Sequence, residues 1–221
     1  MTALENPKIK ATLERLHNAA RGDWLVFLRA VPAAAVGALT GRGVVDSVKP
    51  YLKSAYIPID AAQGRALYQF ARMSGARTIV EFGCSFGISA IYLAAAVRDN
   101  GGGRVITTEL EPEKIKAARA NFAAAGVDGL IDLREGDAME TLRDVATPVD
   151  LLFLDGWKEL CLPVLKLMEA KLKPGAAVFC DDMKGFRKTL KPYADYVRDP
   201  AGSYVSMALP LGDELEFSVR A

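Results

Sequence analysis

Five short apolar runs in the second part of the chain constrain its fold more than any other feature. They occupy residues 77–83, 104–110, 131–137, 149–155 and 175–181, and each ends near an acidic residue. The segments that separate them have the composition of amphipathic helices. Nearly continuous apolar runs that alternate with such helices are typical of a parallel sheet that is covered on both faces. The sequence therefore predicts an α/β fold.

The chain on either side of these runs completes the predicted domain. Two further apolar runs near the C-terminus, 203–211 and 214–220, are separated by too few residues for a crossover helix, so they predict an antiparallel hairpin. At the N-terminus the pattern is helical over residues 7–39 and gives way to a Gly- and Pro-rich connector. We expect residues 1–60 to form a helical extension and connector of the same domain, and residues 61–221 to form its main part.

Charge and composition narrow the range of functions. With 28 basic and 27 acidic residues the net charge is +1, which does not favour nucleic acid or an anionic membrane as the partner. The cysteines Cys84, Cys161 and Cys180 lie far apart in apolar segments, which indicates buried thiols in a reducing cytoplasm. The single histidine, His17, is remote from the other motifs, which excludes a Ser-His-Asp site. We expect a cytoplasmic protein with a small-molecule partner.

The N-terminal region carries no clear targeting or membrane signal. The first ten residues lack a charged segment followed by an apolar core, so we expect no signal peptide. The most apolar early stretch, residues 24–39, contains Arg29 and Pro32 and is shorter than the roughly 20 apolar residues that a membrane span needs. We expect it to be a packed helix or the surface of a homodimer.

The segment VEFGCSFGIS, residues 80–89, joins the first apolar run to a helix through a glycine-spaced turn. Ligands of parallel α/β sheets bind at the carboxyl ends of the strands. A dinucleotide fingerprint would need a second glycine close after Gly83, but the sequence continues Cys-Ser-Phe before Gly87. The pattern that begins at Glu81 instead favours a nucleoside without a diphosphate. A tight turn that holds no ligand is the alternative.

Acids at the ends of the second and third runs are candidate ligands for the same molecule. Glu109 can accept hydrogen bonds from both hydroxyls of a ribose, since a carboxylate has two acceptor oxygens. It can equally be a solvated acid at the start of a loop. Asp137 can reach the amino group of an adenine or, as an equally good explanation, cap the helix that starts at Ala138.

Three carboxylates follow the fourth and fifth runs, Asp155 in LDGWK and the pair Asp181 and Asp182 in CDDM. Like charges gathered at one edge of a sheet are costly unless a cation neutralises them. Carboxylate ligands suit a hard cation such as Mg²⁺ or Ca²⁺. The alternative is that one acid caps a helix and another binds the cofactor without a metal.

In this order and spacing, the motifs resemble the class I S-adenosylmethionine-dependent methyltransferases, and in particular the catechol O-methyltransferase-like group. The resemblance covers about residues 78–184 and the terminal hairpin. It implies a Rossmann-like methyltransferase fold with a seven-stranded, mostly parallel sheet, helices on both faces and an N-terminal helical cover. It also implies that S-adenosylmethionine is bound by Glu81, Gly83, Ser89, Glu109, Asp137, Ala138, Asp155 and Trp157.

The resemblance implies a metal site and a base as well. Catechol-type enzymes hold Mg²⁺ with an acid at the LDxWK position and an Asp-Asn pair after the fifth strand, which makes Asp155, Asp181 and Asp182 the implied ligands. Lys158 matches the general base of the family, a role that requires a depressed pKa near neutral pH. The acid that binds the second catechol hydroxyl is replaced by Met207 or a neighbouring apolar residue.

The sequence thus predicts an O-methyltransferase that acts, with a divalent metal, on a small, hydroxylated, catechol-like acceptor. We expect the N-terminal segment, with Tyr51 and Tyr56, and residues 182–186 to close the acceptor pocket. Three alternatives stay open. They are a metal-independent O- or N-methyltransferase, a nicotinamide oxidoreductase, which the missing glycine disfavours, and a binding module without catalysis.

Overall fold

The structure is a computed structural model that describes residues 2–22, 32 and 59–221. The helix expected over residues 24–39, with its suggested dimer surface, lies outside these residues apart from Pro32. So do Tyr51 and Tyr56, the expected walls of the acceptor pocket. These expectations stay predictions.

A seven-stranded sheet forms the centre of the molecule. Its strands are β1 (Thr78–Phe82), β2 (Arg104–Glu109), β3 (Ile131–Glu135), β4 (Val149–Leu154), β5 (Leu172–Cys180), β6 (Tyr204–Leu209) and β7 (Leu215–Arg220). They are arranged in the order β3-β2-β1-β4-β5-β7-β6. Strands β1 to β5 run parallel, whereas β7 is antiparallel to both β5 and β6. The predicted fold class, with its C-terminal hairpin, is confirmed.

Helices cover both faces of the sheet. They are α1 (Pro7–Gly22), α2 (Ala61–Met73), α3 (Ile88–Asp99), α4 (Pro112–Ala125), α5 (Ala138–Thr141), α6 (Cys161–Glu169) and α7 (Lys191–Val197). Helices α1 to α4 pack over one face, and α5 to α7 pack over the other. Among the described helices, none is both long and apolar enough to cross a membrane.

The central strands bury side chains on both faces, which explains their continuous apolar sequences. In β4, Leu151 and Phe153 join the core under α1 to α4, while Leu152 and Leu154 join the core under α5 to α7. All of these side chains are fully buried. A strand that alternated apolar and polar residues could not occupy this place, because one of its faces would put polar groups into a core.

The N-terminal helix α1 lies against α3 and α4. Arg15 donates a hydrogen bond to Asn121 of α4 at 2.7 Å. His17 lies 3.1 Å from the hydroxyl of Tyr92 in α3, measured from its Nε2 atom. The histidine therefore contacts another helix of the cover and does not line the cavity.

Three elements differ from the sequence-based prediction. The helix expected over residues 138–145 is only the single turn α5. In the segment that follows this turn, Asp144 accepts a hydrogen bond from the Arg134 guanidinium at 2.5 Å. Strand β5 begins at Leu172 rather than at Gly175, because the left-handed Gly175 (φ 77°) absorbs a shift in its register with β4. Helix α7 was not predicted from the sequence.

Candidate active site

A cavity of about 390 Å³ opens at the carboxyl ends of β1 to β4. It lies where the strand order reverses between β1 and β4, which is the ligand position of open parallel sheets. Many of the residues predicted from the sequence form its wall, namely Gly83, Glu109, Asp137, Ala138, Asp155, Trp157, Lys158 and Asp182.

The glycine-spaced turn after β1 brings two strand ends together. Gly83 has a left-handed backbone (φ 98°), and a Cβ atom at this position would lie 2.7 Å from the carbonyl of Asp155. The turn can therefore rest directly on the end of β4 only because residue 83 has no side chain. This close approach places Asp155 beside the turn that is expected to bind the cofactor.

Glu81 and Ser89 are buried beside this turn, but neither side chain lines the cavity. Glu81 accepts a hydrogen bond from the Thr107 hydroxyl at 2.5 Å, while its Oε1 atom has no hydrogen-bond partner among the described residues. Burial raises the pKa of Glu81 to about 8, although the hydroxyls of Ser89 and Thr107 oppose this shift. The structure places both residues behind the wall, and their contact with the cofactor stays a prediction.

Glu109 and Asp137 are each held by backbone amides. Glu109 accepts from the Ser85 amide at 2.7 Å with one oxygen, and from two amides of the following turn with the other. Asp137 caps α5, since its side chain accepts from the Met139 amide at 2.8 Å. The capping interpretation of Asp137 is confirmed, and both acids still contribute to the cavity wall.

Three acids and one lysine meet at the ends of β4 and β5. Asp155, Asp181 and Asp182 each offer an oxygen, and these atoms lie within 4.8 Å of one another. The Lys158 ammonium is 2.9 Å from Asp155 and 2.9 Å from Asp182. With 8% of its side chain exposed, Lys158 is buried and is not a surface lysine at the start of a helix.

The electrostatics of this cluster favour a cation. Burial and the neighbouring carboxylates raise the pKa of Asp181 to about 8, and burial also raises the pKa of Asp155. Burial lowers the pKa of Lys158, but the charges of Asp155 and Asp182 outweigh it and raise this pKa well above its ordinary value. Lys158 is therefore an ammonium in this arrangement, and not the depressed base that the sequence analysis requires. The oxygen donors fit a hard divalent ion.

Several residues at the site were not predicted from the sequence. Lys114 of α4 and Thr189 line the cavity together with Phe186, which belongs to the segment expected to close the pocket. Gln63 of α2 donates to Asp181 at 2.7 Å. Its sequence signal is a capping box in which Asp60 and Gln63 flank the start of a helix. Met207, by contrast, is 56% exposed on β6 and does not line the cavity.

Comparison with known proteins assigns this arrangement to a family. A family profile described as a methyltransferase domain matches residues 80–183. A putative O-methyltransferase of Mycobacteroides abscessus is 30% identical over 177 residues, which covers 74% of this chain and 81% of that protein. The chain therefore belongs to the S-adenosylmethionine-dependent O-methyltransferase family.

Two further relatives show how far the similarity extends. A catechol O-methyltransferase of Mycobacterium tuberculosis is 33% identical over 128 residues, or 58% of this chain, and the match spans 57% of that protein's length. The crystal structure of an O-methyltransferase from Bacillus cereus has the same fold, with a TM-score of 0.69 and 19% identity. That match covers 89% of this chain and 91% of the other.

Proposed function

We propose that the protein transfers the methyl group of S-adenosylmethionine to a hydroxyl oxygen of a small, catechol-like aromatic acceptor, with a divalent cation held by Asp155, Asp181 and Asp182. The observation that carries this proposal is one cavity with two kinds of acid. Glu109 is fixed by backbone amides at one end, and at the other end Asp155 and Asp182 both pair with Lys158. The buried Asp181 completes the acid cluster without lining the cavity.

The β1 to β3 end of the cavity suits the cofactor. Glu109 lies on the wall and has acceptor oxygens for ribose hydroxyls, and Ala138 and Trp157 provide apolar surface for an adenine. S-adenosylmethionine would supply the methyl group, and its sulfonium sulfur would leave as the neutral thioether. The Bacillus cereus relative was crystallised with S-adenosylhomocysteine, the product of that transfer.

The β4 to β5 end suits the acceptor and the cation. Asp155, Asp181 and Asp182 would hold the divalent ion, which would supply a positive charge that favours the ionised form of vicinal hydroxyls. If Asp155 and Asp182 bound such an ion, their carboxylates would attract the Lys158 ammonium less strongly. Binding of the ion would lower the pKa of the Lys158 ammonium, which would lose its proton to solvent. The neutral amine would then accept the proton of the acceptor hydroxyl, while Phe186 orients the ring and excludes water.

The experiment is transfer of labelled methyl from S-adenosylmethionine to a panel of catechols, monophenols and aromatic amines, in Mg²⁺ and in excess EDTA. We expect vicinal diols to be methylated in Mg²⁺ and the label to stay in the cofactor in EDTA. Transfer to amines alone, or no transfer to any diol, contradicts the proposal. A Lys158→Met variant measured in parallel controls for transfer that does not use this cavity.

A metal-independent O-methyltransferase is the second candidate, and one contact favours it. The Lys158 ammonium already lies 2.9 Å from two of the acids, so a protein cation provides part of the neutralisation that a metal supplies. In this case the same assay gives equal methylation in Mg²⁺ and EDTA.

A further inference from the structure

The amide of Gln63 has a role in the acid cluster that its sequence position does not reveal. Gln63 lies in the first turn of α2 and is 4% exposed. Its side-chain Oε1 atom accepts a hydrogen bond from the backbone N–H of Asp60 at 2.9 Å. The Asp60 carboxylate in turn accepts from the backbone N–H of Gln63 at 2.7 Å. Because a backbone N–H can only donate, this capping box fixes which end of the side-chain amide carries the oxygen.

The other end of the same amide faces the acid cluster. Gln63 Nε2 donates to Asp181 Oδ1 at 2.7 Å, and Asp181 is itself 4% exposed. One amide thus connects the start of α2 with the end of β5, and each of its ends has a defined partner. A buried amide that is bonded at both ends has one orientation, so it restricts the carboxylate that it touches.

The loop between β6 and β7 closes over this amide. A Cβ atom at Gly212 would lie 2.3 Å from Cδ of Gln63 and 2.4 Å from its Nε2 atom. The same loop is bonded to the segment after Asp182, because Asp213 accepts from the Gly185 amide at 2.6 Å. The Gln63 amide therefore lies at a junction of three segments, and it has no space in which to turn while residue 212 remains in place.

We propose that Gln63 is a positioning residue for the cation site. It holds the Asp181 carboxylate in the orientation that lets it bind a divalent ion together with Asp155 and Asp182, and it contacts neither the acceptor nor the cofactor. This inference rests on the proposed function, since it assigns a partner to one of the proposed ligands. Groups that orient a metal ligand in this way typically change metal affinity by about 10- to 100-fold.

The test is Mn²⁺ binding to the full chain by isothermal titration, which does not depend on turnover. Gln63→Met removes the donor at similar volume, and we expect its dissociation constant for Mn²⁺ to rise at least about tenfold. Gly212→Ala is a second variant, because its added Cβ displaces the amide while Gln63 and Asp181 are both retained. We expect it to weaken Mn²⁺ binding in the same direction.

Asp60→Ala is the matched control. It removes the cap that Asp60 provides for α2 but retains the Gln63 side chain and its Asp181 contact. We expect a lower melting temperature with an Mn²⁺ affinity within about twofold of wild type. An equal loss of affinity in Asp60→Ala assigns the effect to helix stability and overturns the inference.

The outcomes separate this inference from the proposed function. Wild-type protein that binds no Mn²⁺ contradicts the metal-assisted function itself. Wild-type protein that binds Mn²⁺, together with Gln63→Met and Gly212→Ala variants that bind it equally well, contradicts only the role of Gln63.

Discussion

At the β1 to β3 end of the cavity the acids accept hydrogen bonds from backbone amides, whereas at the β4 to β5 end they face one another across a lysine. Glu109 and Asp137 are each bonded to amides of their own or a neighbouring turn. Asp155 and Asp182 share the Lys158 ammonium, and Asp181 is bonded to a glutamine from α2.

This difference indicates whether the acids at each end of the cavity can exchange their bonding partners. Acids that are bonded to the backbone keep their orientation whatever binds, so we expect the β1 to β3 end to be preorganised for the proposed cofactor. Acids that are paired with a lysine ammonium can exchange that partner for another cation. The β4 to β5 end is therefore where we expect chemistry and metal dependence, and the following variants test that division.

Loss of the lysine amine has the largest expected effect. We expect Lys158→Met to lower the rate of methyl transfer by about 10²- to 10⁴-fold, which is the usual contribution of a general base. S-adenosylmethionine affinity, measured by titration, stays within about twofold of wild type. Lys158→Arg is the control that retains a cation but not a base. A near-normal rate for this variant means that residue 158 acts by charge alone.

Glu81 makes stability depend on pH. Its pKa is about 8 in the folded protein and near 4.5 without burial, so between these values the folded state holds more protons than the unfolded state. The free energy of unfolding therefore falls as pH rises through this range and levels off above about pH 8. Each pKa unit corresponds to about 1.4 kcal/mol.

Denaturant unfolding of Glu81→Gln across this pH range checks the effect. We expect a flatter profile than in wild type, with the largest relative gain in stability near pH 9. Glu113→Gln, which changes an exposed acid of α4, is the matched control and retains the wild-type slope. Parallel profiles for wild type and Glu81→Gln contradict the shifted pKa.

Removal of the charge of Glu109 tests the cofactor end alone. Hydrogen bonds to charged groups contribute about 1.5–3 kcal/mol, so we expect Glu109→Gln to weaken S-adenosylmethionine binding roughly 10- to 100-fold. Affinity for Mn²⁺ stays unchanged, because Glu109 is not part of the acid cluster. Titration of both ligands into one preparation gives the comparison, with Asp128→Asn as an exposed control. A parallel loss of Mn²⁺ affinity shows that the two ends are coupled.

The smallest effect is expected at Asp182, which takes the place of the amide in the catechol-type enzymes that the sequence resembles. Asp182→Asn retains an oxygen ligand and removes one of the two ion pairs of Lys158. We expect Mg²⁺-dependent methyl transfer to stay within about tenfold of wild type, since amide oxygens also bind hard cations. The dependence of the rate on Mg²⁺ concentration measures the change. A loss as large as that of Lys158→Met contradicts this assignment.

Local sequence predicts those parts of the site that depend on a single strand end. The continuous apolar runs of β4 and β5 predict two neighbouring strands that are buried on both faces, and their parallel pairing places Asp155 and Asp182 at a shared edge. The contact between Gln63 and Asp181 depends instead on how α2 docks, which no local pattern specifies. The pKa of Lys158 likewise depends on two acids that only the fold brings together.

The most direct test of the division between the two ends measures cofactor binding and methyl transfer in one preparation, with Mg²⁺ and with excess EDTA. We predict that the dissociation constant for S-adenosylmethionine is unchanged within about twofold, while transfer to a catechol falls at least about 100-fold in EDTA and returns when Mg²⁺ is added. Methyl transfer that continues undiminished in EDTA contradicts this division between the two ends of the cavity. Cofactor binding that is lost together with transfer contradicts it as well.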